Sequence, residues 1–360
     1  MTDPLPKLEG LVCPIPLPHN QRIVLGHGSG GRMSYDLISK VFLHPFDNPI
    51  LRTGNDAGII VIPNNNVSNV GSKLAVSTDS HVVMPLFFPG GDIGKLAICG
   101  TVNDVAMMGA TPLYLTAGFV LEEGLEVDIL RMVVESMQSA ALEANVQIIA
   151  GDTKVVQNGK ADGLYINTTG FGIIPNQVNI SGSRAKPGDI IIASGTIGDH
   201  GIAVLAARGE LNFDTQITSD IAPLNGLVST MLAATNEIHV LRDPTRGGLA
   251  TSLNEIAIQS KVGIMIYEDA IPVKPAVAAA CEMLGFDPLY VANEGKLIAI
   301  VEKDIAEQIL SIMKNHPLGS DASIIGSITE NPGDHVVLKT TFGTTRMVDM
   351  LSGEMLPRIC

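Results

Sequence analysis

Short apolar runs bounded by turn residues alternate with stretches of helical periodicity along most of this chain, and that alternation admits little besides a layered α/β architecture. Residues 22–25 read as a strand, 26–31 as a loop and 33–42 as a helix. Residues 59–62 and 74–78 read as strands, with Asn64, Asn65 and Asn66 as a surface loop between them. Ile129, Leu130, Val133, Val134, Met137, Ala140, Ala141 and Ala144 recur at three and four, which predicts a long amphipathic helix ahead of a strand over 146–150. Pro, Asn, Ser and Gly accumulate over 176–187, and Lys186-Pro187-Gly188-Asp189 predicts a turn into a strand over 190–193. A domain boundary belongs there. Beyond it the pattern predicts helices over 201–208, 224–235, 248–260, 275–284 and 304–315, and strands over 262–267, 297–301 and 335–339. Four segments result: a Pro-rich lead-in (1–20), an N-terminal domain (21–180), a C-terminal α/β domain (181–345) and a tail (346–360) whose lack of any usable period predicts mobility.

Composition agrees with two such halves, since 360 residues suit roughly two domains at about 150 residues each. With 46% hydrophobic and 17% charged residues the chain is too apolar for disorder. The 37 acidic residues outnumber the 23 basic ones, and a net charge of −14 argues against nucleic acid and anionic lipid as partners. No apolar run reaches the roughly 18 to 20 residues a membrane span needs, and the prolines after the first residues leave no readable secretory signal, so a cytoplasmic protein is expected. The four cysteines, Cys13, Cys99, Cys281 and Cys360, are dispersed without a C-x-x-C pair and predict neither disulfides nor a zinc cage.

Gly26-His27-Gly28-Ser29-Gly30-Gly31 satisfies G-x-G-x-x-G, but a dinucleotide fold also needs an acidic residue closing a second strand about 20 residues on. The nearest candidate, Asp47, lies between Pro45 and Pro49, so that strand is missing. The loop still suits phosphate, because glycine lets backbone N–H groups approach an anion at a helix start, with Arg32 adding positive charge.

Carboxylates sit where a core is expected. They are Asp56, Asp79, Asp104 and Asp152, each in an apolar or glycine-rich segment. Asn103 and Asp104 lie in a nearly uncharged helix over 96–108, where an unpaired carboxylate is heavily penalised. Each Asp alone is best explained as a cap or turn residue; four together with a glycine loop suit Mg²⁺ bridging to substrate phosphates. In the second half, Arg242-Asp243-Pro244-Thr245-Arg246-Gly247-Gly248 reads equally well as an anion or metal site and as a capped, ion-paired helix start. Lys154 can project its ammonium toward phosphate from a strand end, and Glu294, in a turn between apolar stretches, is a candidate general base. His81 and His200 lie near candidate loops but read as structural. Cys360 closes the chain with a thiol, and a tail of ten residues reaches about 33 to 36 Å when extended.

These segments, with Asn293-Glu294-Gly295-Lys296 and the terminal Pro357-Arg358-Ile359-Cys360, resemble over residues 21–360 the HypE family of carbamoyl dehydratases in hydrogenase maturation. The family belongs to the aminoimidazole ribonucleotide synthetase-like superfamily, with selenophosphate synthetase and thiamine monophosphate kinase. The resemblance implies a two-domain α/β (α+β) fold whose N-terminal domain pairs across a homodimer as a β-barrel. It implies ATP and Mg²⁺, with Asp56, Asp79, Asp104, Asp152 and Asp243 as metal ligands. Gly28, Ser29, Gly30, Gly31, Asn103 and Arg246, together with the first four of those aspartates, would bind nucleotide. It implies Lys154 and Glu294 as the catalytic pair and Cys360 as the carrier, loaded by the carbamoyltransferase HypF. ATP-dependent dehydration would then give a thiocyanate, and the cyano group would pass to iron held by a HypC–HypD complex. The alternatives are a kinase or synthetase of the same superfamily acting on a free small molecule, for which Cys360 would be dispensable, and a thiol carrier or scaffold that ATP only regulates.

Overall fold

A computed structural model describes residues 23–62, 72–209, 217–331, 333–351 and 359. The loop at Asn64 to Asn66, the lead-in with Cys13, and Cys360 itself lie outside the described residues. Among the described residues no helix is long and apolar enough to cross a membrane.

Two sheets carry the chain. The first joins β1 (Gly58–Ile62), β2 (Ser72–His81), β5 (Thr111–Glu122), β6 (Gln147–Val156) and β7 (Leu164–Ile174) in the order β1-β2-β7-β5-β6, antiparallel except for the β5–β6 pair. Between β2 and β5 come a short hairpin, β3 (Phe87–Phe88) with β4 (Gly91–Asp92), and then helix α3 (Ile93–Met107). The second sheet joins β8 (Ile190–Ala193), β9 (Ile238–Arg242), β10 (Gly263–Tyr267), β11 (Ile298–Val301), β12 (Ser323–Thr329), β13 (Val336–Lys339) and β14 (Thr345–Val348) in the order β14-β13-β10-β12-β8-β11-β9. Its β10–β13 pair alone is parallel.

The helices are α1 (Arg32–Leu37), which runs through a π-turn at Ile38–Phe42 into α2 (Leu43–Phe46), then α3 (Ile93–Met107), α4 (Val127–Glu143), α5 (Asp199–Ala207), α6 (Asn225–Ala234), α7 (Gly248–Ser260), α8 (Pro275–Leu284) and α9 (Ala306–Lys314). α3 has no polar face, and a helix apolar all round must be covered on every side. It lies against β2 and β7 of the first sheet, against α4, and against α6 and β9 of the second domain. The carboxylate of Asp92 caps it by accepting from the Gly94 and Lys95 amides at 2.7 and 3.2 Å. This buried rod carries Asn103 and Asp104 to the seam between the domains.

The structure departs from expectation at both ends of the chain. Where a strand over 22–25 and a loop over 26–31 are expected, residues 23–24 form no strand and Leu25–Gly28 is a 3₁₀ turn. At the other end, β14 extends the second sheet past the expected boundary, and Ile359 is buried beside Val83, with which it forms an antiparallel bridge. Within the tail, Ile359 thus holds a core site, where burial favours an apolar side chain.

Candidate functional site

Loops and strand ends from both domains enclose a cavity of about 450 Å³. The first domain contributes Asp56 just ahead of β1, Ser77 and Asp79 on β2, and Asp104 on α3. The second contributes Arg242 and Asp243 from the end of β9, Arg246 from the turn, Thr251 and Glu255 from α7, and Glu294. Gly28 and Gly30 cover its edge.

The walls hold an excess of negative charge. Buried Arg242 donates to Asp56 at 2.7 Å and to Glu255 at 3.1 Å, and also to the Gly54 carbonyl at 3.2 Å. Burial nevertheless raises Asp56 to about 6, against the pull of Arg242. Asp243 rises to about 8 through burial and then the charge of Asp56. Asp104 accepts from the Ser77 hydroxyl at 2.6 Å, yet burial and repulsion from Asp243, Asp79 and Asp56 push it well above the ordinary carboxylate range. Glu294 is 4% exposed and is raised by burial and then by Asp79, Asp243 and Asp220.

Three polar atoms on this wall, Glu294 Oε1, Thr251 Oγ1 and Arg242 Nε, have no hydrogen-bond partner among the described residues. Buried polar groups are normally satisfied, so three on one wall mark a place built for a polar occupant. Among the described residues, no three carboxylate, imidazole or thiol side chains are already gathered into a metal-ligand cluster. The carboxylate donors on the wall, Asp56, Asp79, Asp104 and Asp243, are hard oxygens of the kind that fits Mg²⁺, which keeps waters and takes one or two carboxylates plus phosphate oxygens.

The glycine loop is fitted to this mouth. Gly30 has φ +77°, and a Cβ there would stand 2.7 Å from Arg246 Cβ. A Cβ on Gly31 would stand 2.2 Å from the Leu351 carbonyl oxygen, which accepts from the Arg32 amide at 2.8 Å. Arg246 donates to the Gly28 carbonyl at 3.3 Å and faces Asp79 at 3.8 Å. Ser29 turns its hydroxyl to the Gly26 carbonyl at 2.8 Å and, like Gly31, does not line the cavity.

Other expected site residues are placed elsewhere. Asn103 is a structural pin: its amide donates to the Ala222 and Glu294 carbonyls at 3.1 and 3.3 Å and accepts from the Leu224 amide at 2.7 Å, which exhausts most of its capacity. Asp152 and Lys154 lie within β6 rather than beyond a strand end, exposed on the sheet edge and paired with each other at 2.6 Å. The Lys154 bond holds Asp152 below its ordinary value, and neither residue reaches the cavity of its own chain. Residues the motifs did not single out as ligands, Ser77, Thr251 and Glu255, are on the cavity wall. Thr251 and Glu255 stand four apart on α7, so the helical spacing after Arg242-Asp243 is the signal that pairs them.

The chain matches the AIR synthase related protein N-terminal domain over residues 54–174 and the corresponding C-terminal domain over 186–339. It is 55% identical over 339 residues to carbamoyl dehydratase HypE of Cupriavidus necator, covering 94% of this chain and 95% of that protein. Its fold matches HypE in a crystallised HypE-HypF complex with a TM-score of 0.82 at 52% identity, covering 88% of this chain and 99% of that one. It matches hydrogenase maturation protein HypE crystallised with ATP with a TM-score of 0.78 at 51% identity, covering 94% and 100%.

Proposed function

Because this chain belongs to the carbamoyl dehydratase HypE family, built on the AIR synthase related fold, we propose that it uses ATP to remove water from a carbamoyl group on the sulfur of its own Cys360. The product is a thiocyanate, the source of a cyanide ligand for hydrogenase iron. The observation that carries this reading is Glu294: a buried carboxylate with an unpartnered oxygen, on the wall of a cavity lined by aspartates and a glycine loop.

The chemistry balances. The amide oxygen, a poor leaving group, takes the γ-phosphoryl of ATP, releasing ADP, and leaves as phosphate once two N–H protons are gone, so the oxygen of the lost water ends in phosphate and its protons pass to Glu294 and to the departing phosphate. Glu294 accepts one of those protons, and burial keeps bulk water from the phosphorylated species. Asp56, Asp79, Asp104 and Asp243 would hold Mg²⁺, which would neutralise phosphate charge. Gly28 and Gly30 present backbone, and Arg246 positive charge, at the nucleotide end of the cavity.

Asp152 and Lys154 find a role in a homodimer. Ile60, Val61, Ile62, Tyr114, Ile148, Ile149 and Val155 are exposed on the first sheet, a surface that a second copy would cover. A second copy would then receive Lys154 from the exposed edge of β6. In that case Glu294→Gln and Lys154→Ala proteins, each inactive alone, regain about a quarter of wild-type activity when unfolded together and refolded, because half the dimers are mixed and each mixed dimer has one intact site. Silence of the mixture removes the shared site.

The carbamoyl group would arrive from HypF, and the product would leave to iron on a HypC–HypD complex. Intact mass of the full chain after incubation with the carbamoyltransferase, a carbamoyl donor and MgATP tests the reading. The C-terminal peptide gains a carbamoyl group and then loses one water, and Cys360→Ser shows neither. A chain that never carries either adduct is not a dehydratase of this kind.

A further inference from the structure

Ile359 is held by a side chain that the reaction above does not use. It is 6% exposed and shares a core with Val83, Phe88 and Ala292, and its backbone bridges Val83. Its carbonyl oxygen, part of the peptide bond that joins Ile359 to Cys360, lies 2.5 Å from His200 Nε2. A carbonyl only accepts, so Nε2 carries the hydrogen. The other ring nitrogen, Nδ1, is 2.8 Å from Ser219 Oγ. Burial lowers the His200 pKa and keeps the ring neutral, so Nδ1 must accept from the Ser219 hydroxyl. That hydroxyl oxygen accepts in turn from the Ile221 amide at 3.2 Å. Ser219 is fixed by its own amide, which donates to the Pro89 carbonyl at 2.7 Å, and the Phe88 ring stands edge-on to the imidazole at 5.6 Å and 82°. The Ile359 carbonyl, which can only accept, requires the Nε2–H tautomer, and the Ser219 hydroxyl satisfies the nitrogen that this tautomer leaves bare.

We propose that His200, its Nε2–H aimed at the Ile359 carbonyl and its ring held from the other side by Ser219, is the positioning residue that docks the tail: it grips the peptide bond preceding Cys360 and sets how often the terminal thiol is available to a partner. The inference rests on the reading of Cys360 as the carrier. A docking contact used in every catalytic cycle must also open. A neutral N–H to carbonyl bond suits that demand, since a charged donor would bind about twice as strongly.

Alkylation of Cys360 by iodoacetamide, followed on the C-terminal peptide by mass, tests this in the full-length protein without nucleotide. Loss of one neutral hydrogen bond predicts roughly two- to tenfold faster alkylation in His200→Ala and Ser219→Ala. His200→Gln, whose amide N–H still donates, stays near wild type. Ser219→Ala leaves the packed ring in place and carries the test should His200→Ala not fold. With the carbamoyltransferase, a carbamoyl donor and MgATP, both variants load at least as fast as wild type but lose water from the loaded form roughly two- to tenfold more slowly. A merely structural defect would slow both steps and expose buried Cys99 and Cys281 in parallel. Wild-type alkylation of Cys360 in the two alanine variants, or both steps slowed together, overturns the proposal. Faster alkylation of a Cys360 that never acquires a carbamoyl group would instead sink the dehydratase reading and leave the docking contact standing.

Discussion

Glu294→Gln protein should accept a carbamoyl group on Cys360 at the wild-type rate yet form thiocyanate about a thousandfold more slowly, within the range that a positioned acid–base group contributes. Loading requires only an accessible thiol and a partner; dehydration requires an acceptor for the N–H proton, and a Gln amide offers only a weak carbonyl. The substitution is nearly isosteric and relieves a buried charge, so loss of the fold does not account for the loss of rate. The pH dependence adds a second signature. Burial raises the Glu294 pKa, with Asp79 and Asp243 adding to it, so the carboxylate form that acts as base fills as pH rises and is lost as pH falls through that raised value. The wild-type dehydration rate therefore climbs with pH over this limb, and the residual rate of Glu294→Gln lacks it. Quenched-flow mass spectrometry of the pre-loaded tail separates the two steps. Dehydration by Glu294→Gln at more than a tenth of the wild-type rate would assign the base to another group.

The acidic residues were legible in the sequence because apolar flanks make a carboxylate conspicuous: Asp56, Asp79 and Asp104, from three separate segments, reach one cavity. Asn103 carried the same signal for a different reason. A polar side chain inside an apolar helix can equally be a pin that satisfies another domain's backbone, and spacing does not distinguish the two. Lys154 falls beyond the strand expected over 146–150; an exposed edge strand tolerates Gly151 and Asp152, and β6 runs to Val156. β5, β7, β12 and β9 have no counterpart among the strands expected from the sequence, and β9 shows one reason. It is only five residues long and carries His239 and Arg242, which are buried with Asp189 and with Asp56 as their partners. Charges compensated across the fold erase the apolar signature on which strand recognition depends. His200 and Ile359 are 159 positions apart, and neither belongs to a periodic pattern that would reveal their contact.

The same charge excess predicts that the site is held at a cost to the fold. Asp243 has a folded pKa of about 8 against an ordinary 3.8, and Asp56 about 6, both through burial first. A carboxylate whose folded pKa is raised binds more protons in the native state than in the unfolded one, so its contribution to stability falls as pH rises from about 4 through the folded value. Asp243→Asn removes that charge. Without nucleotide and metal, the variant should be more stable than wild type by about 2 kcal/mol at pH 8.5, or roughly 4 to 8 °C in melting temperature for domains of this size. The advantage should shrink toward zero near pH 4 to 5, where wild-type Asp243 is protonated. His81 and His200, whose pKa values burial lowers, destabilise both proteins below about pH 6.5 and cancel in the difference. MgATP should reverse the order. At a hundredfold excess over its dissociation constant it stabilises wild type by about 2.7 kcal/mol, and the variant, missing a metal ligand, by much less. Paired thermal melts across pH, with and without MgATP, decide the matter. A variant that melts below wild type at pH 8.5 in the absence of nucleotide would mean that Asp243 is compensated within the protein and does not await a cation.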